Sequence, residues 1–262
     1  LPEYGSQIMQ MYDSENTGAV SGKTSVGGIF GYAVTPSNAS VIERASCRAA
    51  VTAEAVAGCI AGKADTVTLN SCTNGGSTLS VTRYLVDNGK KYAYAGGVVG
   101  WGFMVNNTVN EVAVRYTSDG AFVGGIAGKL SVLGDASMEN LENRAAVSGK
   151  DNVGGIAGYV GGTGYVGWNA YTMKLSAWKN SGAVSGSGSY VGGIAGELHC
   201  LPEYGSQIMQ MYDSENTGAV SGKTYVGGIF GYAVTNSKNS LLMDCSSTSG
   251  VLMGYSENIT VQ

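Results

Sequence analysis

The chain has 262 residues, enough for one large domain or two small ones, and 44% of them are hydrophobic, so a sizeable core can be buried. Its 42 glycines and 3 prolines follow no three-residue period, which excludes collagen, and the many Val, Ile and Tyr residues exclude a disordered linker. A net charge of −4, with 15 Lys and Arg and no basic run, excludes a nucleic-acid partner, and no apolar run of about 18 residues could span a bilayer.

The pattern starts near the N-terminus with a short alternating segment, IMQMY at 8–12, followed by NTGAVSG at 16–22 and VGGIFG at 26–31. The hexapeptide returns as AGCIAG at 57–62, AGGVVG at 95–100, VGGIAG at 123–128, 153–158 and 191–196, and VGGIFG at 226–231. Successive copies lie 28 to 38 residues apart. The AVSG block precedes it as NRAAVSG at 143–149 and NSGAVSG at 180–186, and more loosely as CRAAVTA at 47–53 and NEVAVRY at 110–116. The third copy carries about 13 additional residues between Gly76 and its hexapeptide.

Helical repeats do not fit. The hexapeptides carry no i, i+3, i+4, i+7 stripe, and each glycine would cost a helix about 1 kcal/mol. Period-2 alternation and β-branched residues predict strands. Strands in short glycine-cornered units predict an all-β fold, a β-solenoid (parallel β-helix) of about seven coils of 28–38 residues, stacked about 4.8 Å apart as one domain over 1–262. The Gly-Gly pair predicts a bend, because Val26 and Ile29 would otherwise face opposite sides of one strand. Gly at such a corner supplies φ > 0 or makes room for a large neighbour; the corner is the preferred expectation.

An Asn column is expected at Asn16, Cys47, Cys72, Asn110, Asn143, Asn180, Asn216 and Cys245, at a left-handed turn where Asn bonds its own backbone. Cys47 and Cys72 then fall in adjacent coils, within disulfide reach, with two stacked thiols the alternative. Residues 1–35 recur at 201–235 with one difference, Ser25 against Tyr225. The offset holds six coils, a rise of about 29 Å. This predicts a recent duplication or an array of 200-residue modules continuing at both ends, with end-to-end self-association as an expected mode of assembly.

The V-G-G-I-A-G block with its upstream A-V-S-G resembles the GLUG motif, a glycine-rich repeat of large bacterial surface proteins of the IgA-peptidase and haemagglutinin-like adhesin types. The resemblance covers most of residues 8–235, with the third copy departing from it. It implies an extracellular or cell-surface β-helical region and no catalytic residues. The peptidase activity of such proteins belongs to a metalloprotease part, and the chain has no H-E-x-x-H.

The chemistry of the chain is sparse. The one histidine, His199, neighbours Glu197 and Cys200 and is expected in an exposed loop between coils. Asp13 and Glu15, repeated as Asp213 and Glu215, read as a solvated strand edge, with a calcium pair the sharper alternative. GTGYVG at 162–167 lacks the GK[ST] of a phosphate loop, and LPEYG at 1–5 and 201–205 lacks the Thr of a sortase signal. No catalytic, metal or cofactor site is assigned. The residues flanking the hexapeptides give the candidate ligand-binding set: Tyr94, Phe122, Tyr190 and Tyr225 before it, and Trp101, Tyr159 and Tyr232 after it. Stacked at strand spacing, they would form a platform for a glycan or a host or cell-surface protein, or a ladder that only stabilises the coil. The expected function is a non-enzymatic structural or adhesive stalk. A glycan-binding or glycan-cleaving β-helix and a phage or fibre component are the rivals.

Overall fold

A computed structural model of the chain describes residues 8–36, 39–76, 78–87, 89–116, 118–132, 134–162, 170–200, 206–235, 240–247 and 259–261. Both LPEYG segments, and all of GTGYVG but Gly162, lie outside this set. Every regular element among the described residues is a strand. The first rung comprises Gln10–Tyr12, Glu15–Asn16, Val20–Gly22, Val26–Gly27 and Phe30–Val34. Gln10, Glu15, Val20, Val26 and Phe30 pair in parallel with Val41, Ser46, Val51, Ala57 and Ala61 of the second rung. One offset thus serves all five sheets, and it equals the interval between the first two hexapeptides. Three sheets carry seven parallel strands each, so the chain climbs through seven rungs, six steps from first to last. This is the β-solenoid that the sequence predicts. An eighth strand, Ser240–Ser247, begins a further rung, and Ile259–Val261 pairs with it.

The hexapeptide divides between two sheets. Its first half ends the strands Val26–Gly27, Val56–Gly58, Lys90–Gly96, Ala121–Gly124, Val153–Gly154, Ser189–Gly192 and Thr224–Gly227, here termed the leading sheet. Its second half opens Phe30–Val34, Ala61–Asp65, Val99–Gly102, Ala127–Val132, Ala157–Gly162, Ala195–Cys200 and Phe230–Thr235, the trailing sheet. Between them the chain turns, so Val123 and Ile126, Val153 and Ile156, and Val191 and Ile194 all face inward with no exposed area. These residues run up the core as continuous columns.

The bend is where the sequence places it, but its cause differs. The described glycines with left-handed φ are Gly89, Gly120 and Gly134, all outside the hexapeptides. The hexapeptide glycines answer to close approach instead. A Cβ on Gly124 would lie 2.1 Å from the Ala127 carbonyl oxygen, and one on Gly125 would lie 2.3 Å from the Asn143 side chain. Both distances are far inside van der Waals contact, so neither glycine has room for a side chain. Left-handed backbone occurs in another column: Asp13, Arg44, Ser71, Asn107, Asn140, Ala177 and Asp213, one per rung, kink the strand that leads into the Asn column.

That Asn column exists, inside the solenoid. Asn16, Cys47, Asn74, Asn110, Asn143, Asn180 and Asn216 stand in register. None has left-handed φ, and from Asn74 upward the asparagines are fully buried. Asn74, Asn110, Asn143 and Asn180 each donate Nδ2–H to the Oδ1 of the next rung's Asn at 2.7–2.8 Å. Asn110, Asn143, Asn180 and Asn216 also donate to the carbonyl two residues on, as expected of Asn at a turn. Every such bond satisfies an amide that would otherwise be buried unpaired, a loss of about 1–3 kcal/mol.

Cys72 and Cys245 are not in this column, which corrects the sequence alignment. Cys72 lies two residues before Asn74, and Cys245 pairs with Ser214, two residues before Asn216. Cys47 therefore cannot reach Cys72. It is bonded to Cys59, with Cα atoms 5.7 Å apart. The exchange has a simple geometry. Elsewhere the column Asn packs against the second hexapeptide glycine of the rung below, as Asn110 does on Gly97 and Asn180 on Gly155, and Cys47 lies on Gly28 in the same way. In the second rung both the column position and the second hexapeptide position are cysteine, and Cys47 and Cys59 are bonded within that rung.

The additional residues of the third rung form a hairpin. Leu85–Asp87 runs antiparallel to Lys90–Gly96, with Leu85 opposite Tyr92.

Candidate functional site

The corner between the leading and trailing sheets puts two outward columns side by side. On the trailing sheet the register runs Tyr32, Lys63, Trp101, Lys129, Tyr159, Glu197, Tyr232. Aromatic rings occupy rungs 1, 3, 5 and 7, and charged side chains occupy the rungs between. On the leading sheet Tyr94 stands opposite Phe122. Tyr190 and Tyr225 follow higher up, their backbones left-handed at φ 63° and 54°.

All seven predicted residues, Tyr94, Trp101, Phe122, Tyr159, Tyr190, Tyr225 and Tyr232, join one chain of ring contacts. Trp101 meets Tyr94 at 5.9 Å, Tyr94 stacks on Phe122 at 5.9 Å, and Phe122 meets Tyr159 edge-on at 5.5 Å. Tyr159 continues to His199 at 4.9 Å, and His199 to Tyr232 at 5.9 Å. Tyr232 touches Tyr190 at 5.5 Å, and Tyr190 lies parallel to Tyr225 at 5.1 Å. The rings are half-buried, except Tyr225, which is 44% exposed. Contacts of this geometry contribute about 0.5–1.5 kcal/mol each beyond area burial.

Three members were not singled out from the sequence. His199 is not in a loop. It lies in the strand Ala195–Cys200, half-buried, with Nε2 2.8 Å from Glu197 Oε2, and its ring bridges Tyr159 and Tyr232. Leu198 and Cys200 face the core, so His199 is an outward residue of an alternating strand. Lys63 and Lys129 occupy the places between rings. Lys63 Nζ sits 3.9 Å from the Trp101 ring centroid and 4.8 Å from Tyr32. Lys129 Nζ lies 5.3 Å from Trp101, 5.2 Å from Tyr159 and 5.8 Å from Tyr94. Their aliphatic stems also continue the apolar surface between rings.

Burial shapes the electrostatics. It pushes the Tyr159 hydroxyl up to about 12, helped by the negative charge of Glu197, and raises Tyr94 as well. Burial first, and the charge of Lys63 second, pull Lys129 below the ordinary lysine range. These hydroxyls are therefore neutral donors at physiological pH.

The acids lead elsewhere. Asp13 pairs with Arg44 and Glu15 with Arg48, each across one rung, so the two carboxylates do not converge on a cation site. Among the described residues no group of three His, Cys, Asp or Glu could hold a metal. The shallow grooves lie on the outer face of the Asn-column sheet, where Glu142, Lys179 and Glu215 stand in register. The hydrogen bond from the Arg144 guanidinium holds Glu142 below the usual carboxylate range. No family model matches the chain, no curated protein matches it, and no solved structure matches it.

Proposed function

We propose that the chain is a rigid, non-enzymatic rod of a bacterial cell-surface protein, an architectural or adhesive region that holds a repeated face away from its attachment. The observation that carries this reading is the single register that all seven rungs share, with no helix or separate lobe among the described residues. A stack of this kind transmits load along its axis through its backbone ladders and an internal column of asparagines bonded from Asn74 to Asn216. The Cys47–Cys59 bond supports an oxidising, extracellular location. The resemblance of the hexapeptides to the GLUG motif points the same way. Antibody labelling of intact source cells tests the location: surface label is expected, and label only after lysis would overturn it.

A second reading is favoured by one specific feature, the unbroken ring contacts from Trp101 to Tyr225. Under it the stripe is a glycan-binding face, and repetition along the axis adds avidity to weak contacts. Incubation with a panel of polysaccharides separates this reading from a glycan-cleaving enzyme. Retention without release of new reducing ends is expected, and chain cleavage would refute the non-enzymatic assignment.

A further inference from the structure

The lower half of the stripe holds more positive charge than it neutralises. Lys63 is paired with Asp65 at 3.3 Å. Lys129 has no carboxylate within ion-pair reach among the described residues. Both ammonium groups converge on the indole of Trp101, from the rung below and the rung above. Glu197, the nearest acid higher in the same column, is occupied by His199. A half-buried cation framed by three rings, repelled by a second cation and lacking a carboxylate, is a place for an anion brought by a ligand.

The spacing narrows the ligand class. Tyr32, Trp101 and Tyr159 recur every second rung, an interval of about 9.6 Å, with Lys63 and Lys129 midway. The column is straight and runs along the axis. An extended glycan that alternates a neutral sugar with an acidic one offers the same order: an apolar sugar face for a ring, then a carboxylate for an ammonium.

We propose that Lys63, Trp101 and Lys129, flanked by Tyr32, Tyr94 and Tyr159, form a binding site for a linear acidic polysaccharide lying along the solenoid axis. This rests on the stripe being a glycan-binding face and adds the charge class and the anion subsite to it. An acidic polypeptide is the alternative the same charges allow, and it is disfavoured because the rings are spaced for flat sugar faces.

The test is titration of the full chain with a hyaluronan oligosaccharide, the same oligosaccharide with its carboxylates reduced to alcohols, and polyglutamate. The acidic sugar is expected to bind at least about tenfold more tightly than its reduced form, and to weaken as salt rises. Lys129→Gln, which keeps the stem but not the charge, should abolish that preference while leaving the thermal midpoint in place, and Lys129→Arg should retain it. Equal affinity for the acidic and reduced sugars, or full affinity in Lys129→Gln, would overturn the anion site. If the reduced sugar also binds, and Trp101→Ala abolishes that binding, the glycan-binding face stands without the anion site; if neither sugar binds, both fall. Polyglutamate binding as tightly as the oligosaccharide would overturn the glycan assignment.

Discussion

Residues 8–35 and 206–235 place nearly the same sequence in two settings. In the upper copy Ser206–Asn216 lies between two neighbouring strands and the remaining strands rest on the rung below, while among the described residues nothing packs beneath the lower copy. Phe230 and Ile229 are buried, but Phe30 and Ile29 are only half-buried; Met209 and Asn216 are fully buried, but Met9 and Asn16 are not. Tyr32 is 50% exposed where Tyr232 is half-buried. Identical residues thus differ in burial with their place in the stack. Stability in this fold belongs to interfaces between rungs as much as to the rungs.

Paired substitutions 200 residues apart test that statement. Phe230→Ala should destabilise by about 3–5 kcal/mol and Phe30→Ala by less than half as much. Urea unfolding of the two variants checks this, and equal losses would break the comparison. Next in size is the disulfide one rung above the open face. Replacing Cys47 and Cys59 together with Ala removes a closure of 12 residues, for an expected loss of about 3 kcal/mol. Hydrogen exchange should rise first in the lowest two rungs. Asn180→Ala leaves its neighbours Asn143 and Asn216 short of a partner, and a loss of about 2 kcal/mol is expected. Asn16→Ala, beside Cys47 and outside the inter-rung bonds, should cost under about 1 kcal/mol. The smallest effect is a gain. Ala177 holds φ 54°, which costs an L-residue roughly 1 kcal/mol, so Ala177→Gly should leave the thermal midpoint equal or slightly higher.

Much of this architecture was legible because the hexapeptide marks the same corner in each rung. Strand class, rung number, the bend at Gly-Gly and the outward columns of Tyr94, Trp101 and their fellows all follow from that mark. The Asn column was harder. Cys72 and Asn74, two residues apart, both face inward, so a slip of two residues preserves the alternation, and the pattern alone cannot detect it. The same slip misplaced Cys245 and hid the partnership of Cys47 with Cys59. The left-handed column had no signature, because Asp13, Arg44, Ser71 and Ala177 share no residue type. Lys63 and Lys129 stood in the predicted register, but their role appears only once the rings on either side are placed.

The central claim is that equivalent residues of successive rungs stand directly above one another. The outward column Ser21, Thr52, Ser80, Arg115, Ser148, Ser185, Ser221 gives a direct measure of it. Spin labels at Ser21→Cys paired with Ser148→Cys or Ser221→Cys, with Cys72, Cys200 and Cys245 replaced, report distance by pulsed resonance. Four steps should give about 19 Å and six about 29 Å between backbones, a linear increase with rung number. Separations that do not grow with rung number would contradict the stacked solenoid.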